Sequence, residues 1–371
     1  MKILIDARLY GLENAGLGRY LINLIDSLEK IDSKNGYVIL LRKKYFNELK
    51  LKPNFRKVLV DVRHYSFKEQ MILPKIIKRE NPDLVHYPHF NVSFFSRKPF
   101  VVTIHDLLMH KQKGKEATTL FLPEYYLKRL FYKMIFRFAV KRSKKIIVPS
   151  EFVKQEIISY YKVKDSKVRV AYEGVSFKET KTKYSESKHH IQEPYILYVG
   201  NAYPHKNLMK AIDAVKEVNA VKRLLFVIVS SRNFFVEKMK KYVKQNNLDS
   251  FVKVSDFVND EELVYFYKHS LAFIYPSLSE GFGLQGLEAM VNKTLCLVSD
   301  IPVFREIYED NVLYFNPKDI FSIKNSILEA LQILPENRNK ITNKAFEFVK
   351  KYSWDKMAEL TLKVYESCFS L

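Results

Sequence analysis

Short apolar runs alternate with stretches of helical spacing along almost the whole sequence. Residues 2–6, Lys-Ile-Leu-Ile-Asp, read as a parallel strand buried on both faces. After a loop, Arg19-Tyr-Leu-Ile-Asn-Leu-Ile-Asp-Ser-Leu carries its apolar residues at the spacing of one helix face. Further strands are expected at Tyr37–Leu41, Lys57–Val60, Leu84–Tyr87, Phe100–Ile104, Lys145–Val148 and Val168–Ala171. Between Glu173 and Pro194 the text turns polar, as in Glu-Thr-Lys-Thr-Lys-Tyr-Ser-Glu-Ser-Lys-His-His, and reads as a linker. A second series follows, with strands at Tyr195–Gly200, Leu224–Val229, Val252–Val254, Ala272–Tyr275, Leu295–Val298 and Val312–Phe315. Strands alternating with helices predict doubly wound α/β domains. The expected division is 1–175, a linker at 176–193, and 194–352.

Length agrees, because 371 residues are long for one core. The 47% hydrophobic fraction suits a globular protein. The two cysteines, Cys296 and Cys368, argue against a disulfide framework and for a reducing compartment. Met1-Lys-Ile-Leu-Ile-Asp lacks the apolar core of a signal peptide, and no apolar run approaches the roughly 20 residues that span a bilayer. The expectation is a cytoplasmic protein, soluble or peripheral on the inner face of the membrane.

Charge adds an asymmetry. Of the net +21, residues 1–180 carry +18 and residues 181–371 only +3. An anionic partner of the first half is expected: membrane headgroups, a lipid-linked phosphate or nucleic acid. Tyr125 to Lys145 reads as a basic amphipathic helix. Leu127, Leu130, Phe131, Met134, Ile135, Phe138 and Ala139 form its apolar stripe, opposite Lys128, Arg129, Lys133, Arg137 and Lys141. Two readings are open for it: a helix packed on its sheet with a solvated charged face, or a surface touching anionic headgroups. Lysines 111, 113 and 115 add a basic loop nearby.

The candidate chemistry lies at strand ends. Tyr275-Pro-Ser-Leu-Ser-Glu280-Gly-Phe-Gly-Leu-Gln-Gly-Leu-Glu288 ends a strand and opens a helix near Leu284. Bare N–H groups and the positive helix end there suit a phosphate. Glu280 and Glu288 would repel phosphate but could grip hydroxyls, as on a sugar and a ribose. Gly200-Asn-Ala-Tyr-Pro-His-Lys206-Asn ends another strand with a cation, and Gly11, Gly16 and Gly18 fill the loop after the first. Six of the ten glycines (16, 18, 200, 281, 283 and 286) fall in these three loops, where backbone would approach a ligand. His86, His89 and His105 invite a metal reading. The spacing disfavours it, since the H-x-x-H pair falls on a strand end with a proline and lacks an acidic third ligand.

These residues resemble a known family. Glu280 and Glu288, with seven residues between them around Gly-Phe-Gly, look like the E-x7-E signature of retaining glycosyltransferases of the GT-B fold, nearest to glycosyltransferase family 4. Asn14-Ala-Gly-Leu-Gly-Arg-Tyr resembles the family's Gly-Gly-x-Gly-Arg loop, with Ala15 where the first Gly is usual. Val148-Pro-Ser150-Glu151 resembles the turn opening the last helical unit of its first domain. The resemblance implies two Rossmann-like domains with a donor in an interdomain cleft. It also implies a last helix, 353–371 with Ser353 as N-cap, that returns to the first domain. Trp354 would anchor that crossing or be a plain core residue.

By the same resemblance, the catalytic residues are His105, Glu280 and Lys206. The donor would meet Gly16, Gly18, Asn201, Lys206, Phe257, Gly281, Phe282, Gly283, Leu284 and Glu288. Glu288 would hold ribose, Lys206 and the 281–284 amides the diphosphate, Glu280 the sugar hydroxyls, and the turn at Phe257 the base. Asn201 stands where the family usually has Arg, with Arg232 or Arg19 as substitutes. Asp106 would bind the acceptor or orient His105. The reaction is expected to be retaining, by front-side attack, with no metal and no cofactor. The donor would be a GDP-, UDP- or ADP-sugar, with mannose from GDP-mannose the first choice by family frequency. The acceptor would be a glycan or lipid-linked glycan of the cell envelope. Replacing Glu280 or Lys206 by Ala should stop transfer at a nearly unchanged melting temperature. The alternatives are a GT-B nucleotide-sugar epimerase and a basic nucleic-acid-binding protein.

Overall fold

A computed structural model describes residues 1–111, 122–177, 191–230, 234–255 and 258–369. Most of the expected linker, with Lys113, Lys115, Arg232 and Phe257, lies outside the described residues. The backbone divides into two compact units: Met1–Gly174 with Tyr352–Leu371, and Val175–Lys351.

The first unit is built on β1 (Lys2–Asp6), β2 (Gly36–Leu41), β3 (Phe55–Leu59), β4 (Leu84–Tyr87), β5 (Phe100–Thr103), β6 (Lys145–Val148) and β7 (Val168–Val170). They pair in parallel in the order β3-β2-β1-β4-β5-β6-β7. Ile3, Leu4 and Ile5 of β1 are wholly buried. Each contributes about 1.5–3 kcal/mol by leaving water. A central strand covered on both faces has no polar side, which is why β1 reads as an unbroken apolar run.

The second unit repeats the plan with β8 (Tyr195–Val199), β9 (Leu225–Val229), β10 (Val252–Ser255), β11 (Ala272–Tyr275), β12 (Cys296–Ser299) and β13 (Leu313–Phe315). Its order is β10-β9-β8-β11-β12-β13, again parallel. In both sheets the strand order reverses between the first and fourth strands, β1/β4 and β8/β11. The crevice at such a switch point, beyond the carboxyl ends, is where doubly wound sheets bind ligands. The α/β, doubly wound class expected from the apolar pattern is the one observed.

Three local readings change. The helix after β1 runs Ala15–Ile31, so Gly16 and Gly18 lie in its first turns and not in the loop. Ala15 takes φ 50°, a conformation that costs a side-chain-bearing residue energy. A Cβ on Gly18 would fall on the Gly11 carbonyl, so this glycine admits the protein's own backbone.

The basic helix spans Leu122–Arg142, and its buried positions are Tyr132, Phe136, Ala139 and Val140. Leu127, Leu130, Phe131 and Met134, four members of the expected inward stripe, are exposed together with Tyr126. The choice of face follows the aromatic partners. Tyr132 Oη bonds His110 Nδ1 at 2.6 Å, and Phe136 packs on the rings of Tyr161 and Phe90.

The last helix, Trp354–Ser367, belongs to the first unit. Ser353 caps it by accepting from Lys356 N–H, and Ser27 Oγ donates to Asp355 at 2.7 Å. Gly174 lies so close to the Trp354 backbone that a Cβ would not fit.

Candidate active site

In the second unit the loop after β8 and the loop after β11 meet at the switch point. The Leu278 N–H donates to the His205 carbonyl at 2.8 Å and ties one loop to the other. Lys206 Nζ donates to Glu280 Oε1 at 2.6 Å, with their side chains only 9% and 12% exposed. The ammonium also lies 5.5 Å from the centre of the Tyr275 ring, whose hydroxyl donates to Gln285 Oε1 at 2.7 Å. Burial alone would push the Glu280 carboxyl up. That is the largest single effect, but the Lys206 charge, His205 and the hydrogen bonds from Lys206 and Ser277 together outweigh it and hold the group below the ordinary carboxylate range. His205, next to this cation and largely buried, is pushed down to about 4, by burial first and Lys206 second. It is therefore a neutral ring at pH 7.

Beside the pair starts the helix Leu284–Val291. Gly283 is its N-cap at φ 108° and, as a glycine, offers no capping side chain. Helix-end N–H groups and the dipole thus point into the same loop region as Lys206. The glycines here have an internal cause. Tyr308 Oη donates to the Gly283 carbonyl, and a Cβ on Gly283 or Gly286 would collide with that hydroxyl. These two positions therefore have a reason internal to the fold to be glycine. Gly281, Phe282 and Leu284 are buried and Glu288 is half-buried on the helix. Asn201 is half-buried, and its carbonyl accepts from Tyr198 Oη at 2.7 Å.

In the first unit His105 follows β5. Its Nδ1 lies 3.1 Å from Glu173 Oε1 and its Nε2 3.1 Å from the Pro88 carbonyl, with Tyr20 edge-on at 4.8 Å. Asp106 is exposed and accepts the Leu108 N–H at 2.8 Å, so its carboxylate caps a short helical turn. His86 is wholly buried between Tyr365 Oη at 2.6 Å and Thr103 Oγ1 at 2.8 Å. His89 faces the Tyr65 hydroxyl. Among the described residues no group of three or more His, Cys, Asp or Glu side chains is placed to hold a metal ion. Gly16 is exposed near the start of its helix.

Two groups escaped the sequence reading. Arg8 is buried at the end of β1, bonded to Asp6 at 2.7 Å and Glu69 at 2.6 Å. Glu69 also accepts from Asn91 Nδ2 at 2.9 Å and from the Tyr65 N–H at 2.8 Å, so the network braces the loops beyond β1 and β4. Glu173 reads in the sequence as the start of a polar linker, yet it is buried against His105. An acidic residue just past the carboxyl end of a strand, before Gly174, was the available signal.

A family model described as Glycosyl transferases group 1 matches residues 180–348, and one described as Glycosyltransferase Family 4 matches residues 15–179. The chain is 28% identical over 296 residues to the O-antigen chain mannosyltransferase RfbU of Salmonella typhimurium, covering 80% of this chain and 77% of that protein. Among solved structures it resembles sucrose-phosphate synthase from Thermosynechococcus elongatus, with TM-score 0.78 and 19% identity over 99% of this chain and 98% of the other. HepE from Anabaena, solved with UDP and glucose, gives TM-score 0.74 and 16% identity over 99% and 100% of the two chains.

Proposed function

The chain belongs to the glycosyltransferases of family 4, with the GT-B pair of Rossmann-like units, and from that premise we propose that it moves a hexose from a nucleotide-sugar donor to a glycan or lipid-linked glycan in cell-envelope polysaccharide synthesis. One observation carries the reading. Two loops bring Lys206 and Glu280 together at the β8/β11 switch point, beside a helix start whose N-cap is a glycine. Lys206 and the N–H groups around Gly283 and Leu284 suit the donor diphosphate. Glu280, held ionised, accepts hydrogen bonds from sugar hydroxyls, and Glu288 takes the ribose. As the bond from the sugar C1 to the phosphate oxygen breaks, negative charge grows on the diphosphate. A fixed cation and oriented amides stabilise it there without reorganising. The acceptor hydroxyl attacks C1 from the face the diphosphate leaves, and its proton passes to a phosphate oxygen, so configuration is retained. No metal or other cofactor is invoked, because this chain's own groups supply the leaving-group charge.

Mannose from GDP-mannose is the first choice of donor, in line with the mannosyltransferase relative; the UDP complex of HepE keeps UDP-sugars in the screen. The family favours transfer over the epimerase alternative, and it leaves the +18 of residues 1–180 without a nucleic-acid motif to serve. An anionic membrane is the partner that fits. Tyr126, Leu127, Leu130, Phe131 and Met134 are exposed on the same helix as Lys128, Lys133, Arg137 and Lys141. Apolar side chains that enter the headgroup layer, flanked by lysine and arginine, suit an inner-face docking surface. No helix among the described residues is long and apolar enough to cross a membrane.

The test is nucleoside diphosphate release from GDP-mannose, UDP-glucose and ADP-glucose, with and without a lipid-linked glycan acceptor. Acceptor-dependent release from one donor is expected. Interconversion of the sugar with no acceptor present would point to an epimerase and contradict the proposal.

A further inference from the structure

We infer that the loop after β4 is a second membrane-inserting element: Phe94 and Phe95, with Phe67 and Met71 beside them, enter the headgroup layer of an anionic bilayer. The inference deepens, and rests on, the reading of the helix Leu122–Arg142 as a membrane surface. The helix Phe67–Glu80 carries Phe67, Gln70, Met71 and Pro74 on one face, at i, i+3, i+4 and i+7. Gln70 fastens the loop to that face. Its Nε2 donates to the Val92 carbonyl at 3.2 Å, and its Oε1 accepts the Phe94 N–H at 2.8 Å. Glu69 of the same helix accepts from Asn91 Nδ2 at 2.9 Å. The backbone leading to the two rings is therefore held, yet the rings stand in water. Phe95 is 61% exposed and Phe67 80%, and Phe94 and Met71 are exposed beside them.

The patch continues onto the basic helix. The centre of the Phe94 ring lies 4.3 Å from that of Phe138, which is half-buried. Phe138 stands four residues after Met134 and seven after Phe131, so it shares a helix face with those two exposed side chains. One apolar surface thus runs from Phe131 and Met134 through Phe138 and Phe94 to the loop tip and Met71. A contiguous exposed apolar surface marks an interaction site, and charge selects the partner. The exposed charges of the helix Phe67–Glu80 are Lys68, Lys75, Lys78 and Arg79, whereas its acids, Glu69 and Glu80, are buried. Arg97 is exposed just past the loop tip. Phenyl rings bordered by cations fit acyl chains beneath a layer of anionic headgroups.

The same loop ties this surface to the candidate site. It begins at Pro88, whose carbonyl lies 3.1 Å from His105 Nε2, and Phe94 is six residues further on. Six residues span at most about 20 Å. A bilayer seated on Phe94 therefore lies within about 20 Å of the Pro88 backbone. An acceptor can stay anchored in that bilayer by its lipid while its head group reaches His105. The surface thus favours a lipid-linked glycan over a free one as the acceptor.

The experiment has two arms. Phe95→Trp in the full chain reads insertion directly, against the wild-type background of the buried Trp354. Its emission should shift to the blue and be quenched by brominated acyl chains when phosphatidylcholine vesicles contain phosphatidylglycerol, and not when they lack it. Emission that neither shifts nor is quenched overturns the inference. Co-sedimentation with the same vesicles is the second arm. Full transfer of one phenyl ring out of water changes a partition coefficient by about tenfold or more. Phe67→Ser combined with Phe95→Ser should therefore weaken binding by at least about tenfold at an unchanged melting temperature. If this double variant binds as wild type while Leu130→Ser with Phe131→Ser does not, the loop's role fails and the membrane reading of the helix stands. If wild type shows no preference for anionic vesicles, both fail. A wild-type dimer in sedimentation velocity that the double variant lacks would place a second copy on the patch and overturn the inference.

Discussion

Glu280→Gln is the most informative single change, because the ion pair makes it act twice. The substitution keeps the shape of the side chain and an acceptor oxygen for Lys206, but leaves the ammonium buried without its 2.6 Å counter-charge. Removing one partner of a buried pair costs about 3–5 kcal/mol, and the retained acceptor argues for about 3. In a unit of this size each kcal/mol moves the melting temperature by about 2–4 °C, giving a fall of about 6–12 °C. This replaces the expectation, drawn from the sequence, of an unchanged melting temperature. A nucleoside diphosphate returns negative charge to Lys206. At 100 times its dissociation constant it contributes about 2.7 kcal/mol and should restore most of the loss. In the wild type the diphosphate must first draw Lys206 from Glu280, so the same concentration should raise its melting temperature less. Differential scanning fluorimetry of both proteins with GDP, UDP and ADP measures this, and transfer activity should be lost in the variant. Equal melting temperatures, or equal ligand shifts in the two proteins, would refute the reasoning.

Three further outcomes are expected. Gly286→Ala drives a methyl into Tyr308 Oη and should cost about 1–3 kcal/mol by overpacking, part of which Tyr308→Phe recovers; denaturant melts of the single and double variants decide. The His86 ring, pushed down to about 3 by burial and the His105 charge, is neutral in the folded state. Its folded value lies below its unfolded one, so its contribution is complete above about pH 6.5 and is lost as pH falls toward 3, at about 1.4 kcal/mol per pH unit. His89, pushed down to about 3, and His110 and His205, each to about 4, add slopes of the same sign, so the part of the urea-unfolding slope from pH 7 to 4 that His86→Gln removes should be about 1.4 kcal/mol per pH unit. Co-sedimentation with anionic vesicles should exceed that with neutral ones at physiological salt and drop when Leu130 and Phe131 become Ser; equal binding to both vesicle types would remove the membrane surface.

Strand positions were legible because each central strand is an apolar run with no polar face, as at Ile3–Ile5 and Phe273–Tyr275. The alternation implied parallel, doubly wound sheets, while the strand order itself is read from the fold. Periodicity failed on the helix Leu122–Arg142. Two apolar faces lie on it, and only the tertiary partners His110, Tyr161 and Phe90 decide which one turns inward. Glycine content gave the loops but not the internal crowding at Gly283 and Gly286, since Tyr308 lies more than 20 positions away in sequence. The Lys206–Glu280 pair joins residues 74 positions apart, and His105–Glu173 joins residues 68 apart. A single sequence names such groups without showing that they touch. Arg8 illustrates the limit further: beside Asp6 it reads as an ordinary charge, and only the fold supplies the Glu69 that buries it.

The most direct measurement is a crystal structure of the protein with the nucleoside diphosphate that stabilises it most. The account predicts phosphate oxygens within hydrogen-bonding reach of Lys206 Nζ and of the N–H groups at Gly283 and Leu284, with the ribose at Glu288. A diphosphate bound elsewhere, with Lys206 still closed on Glu280, would contradict it.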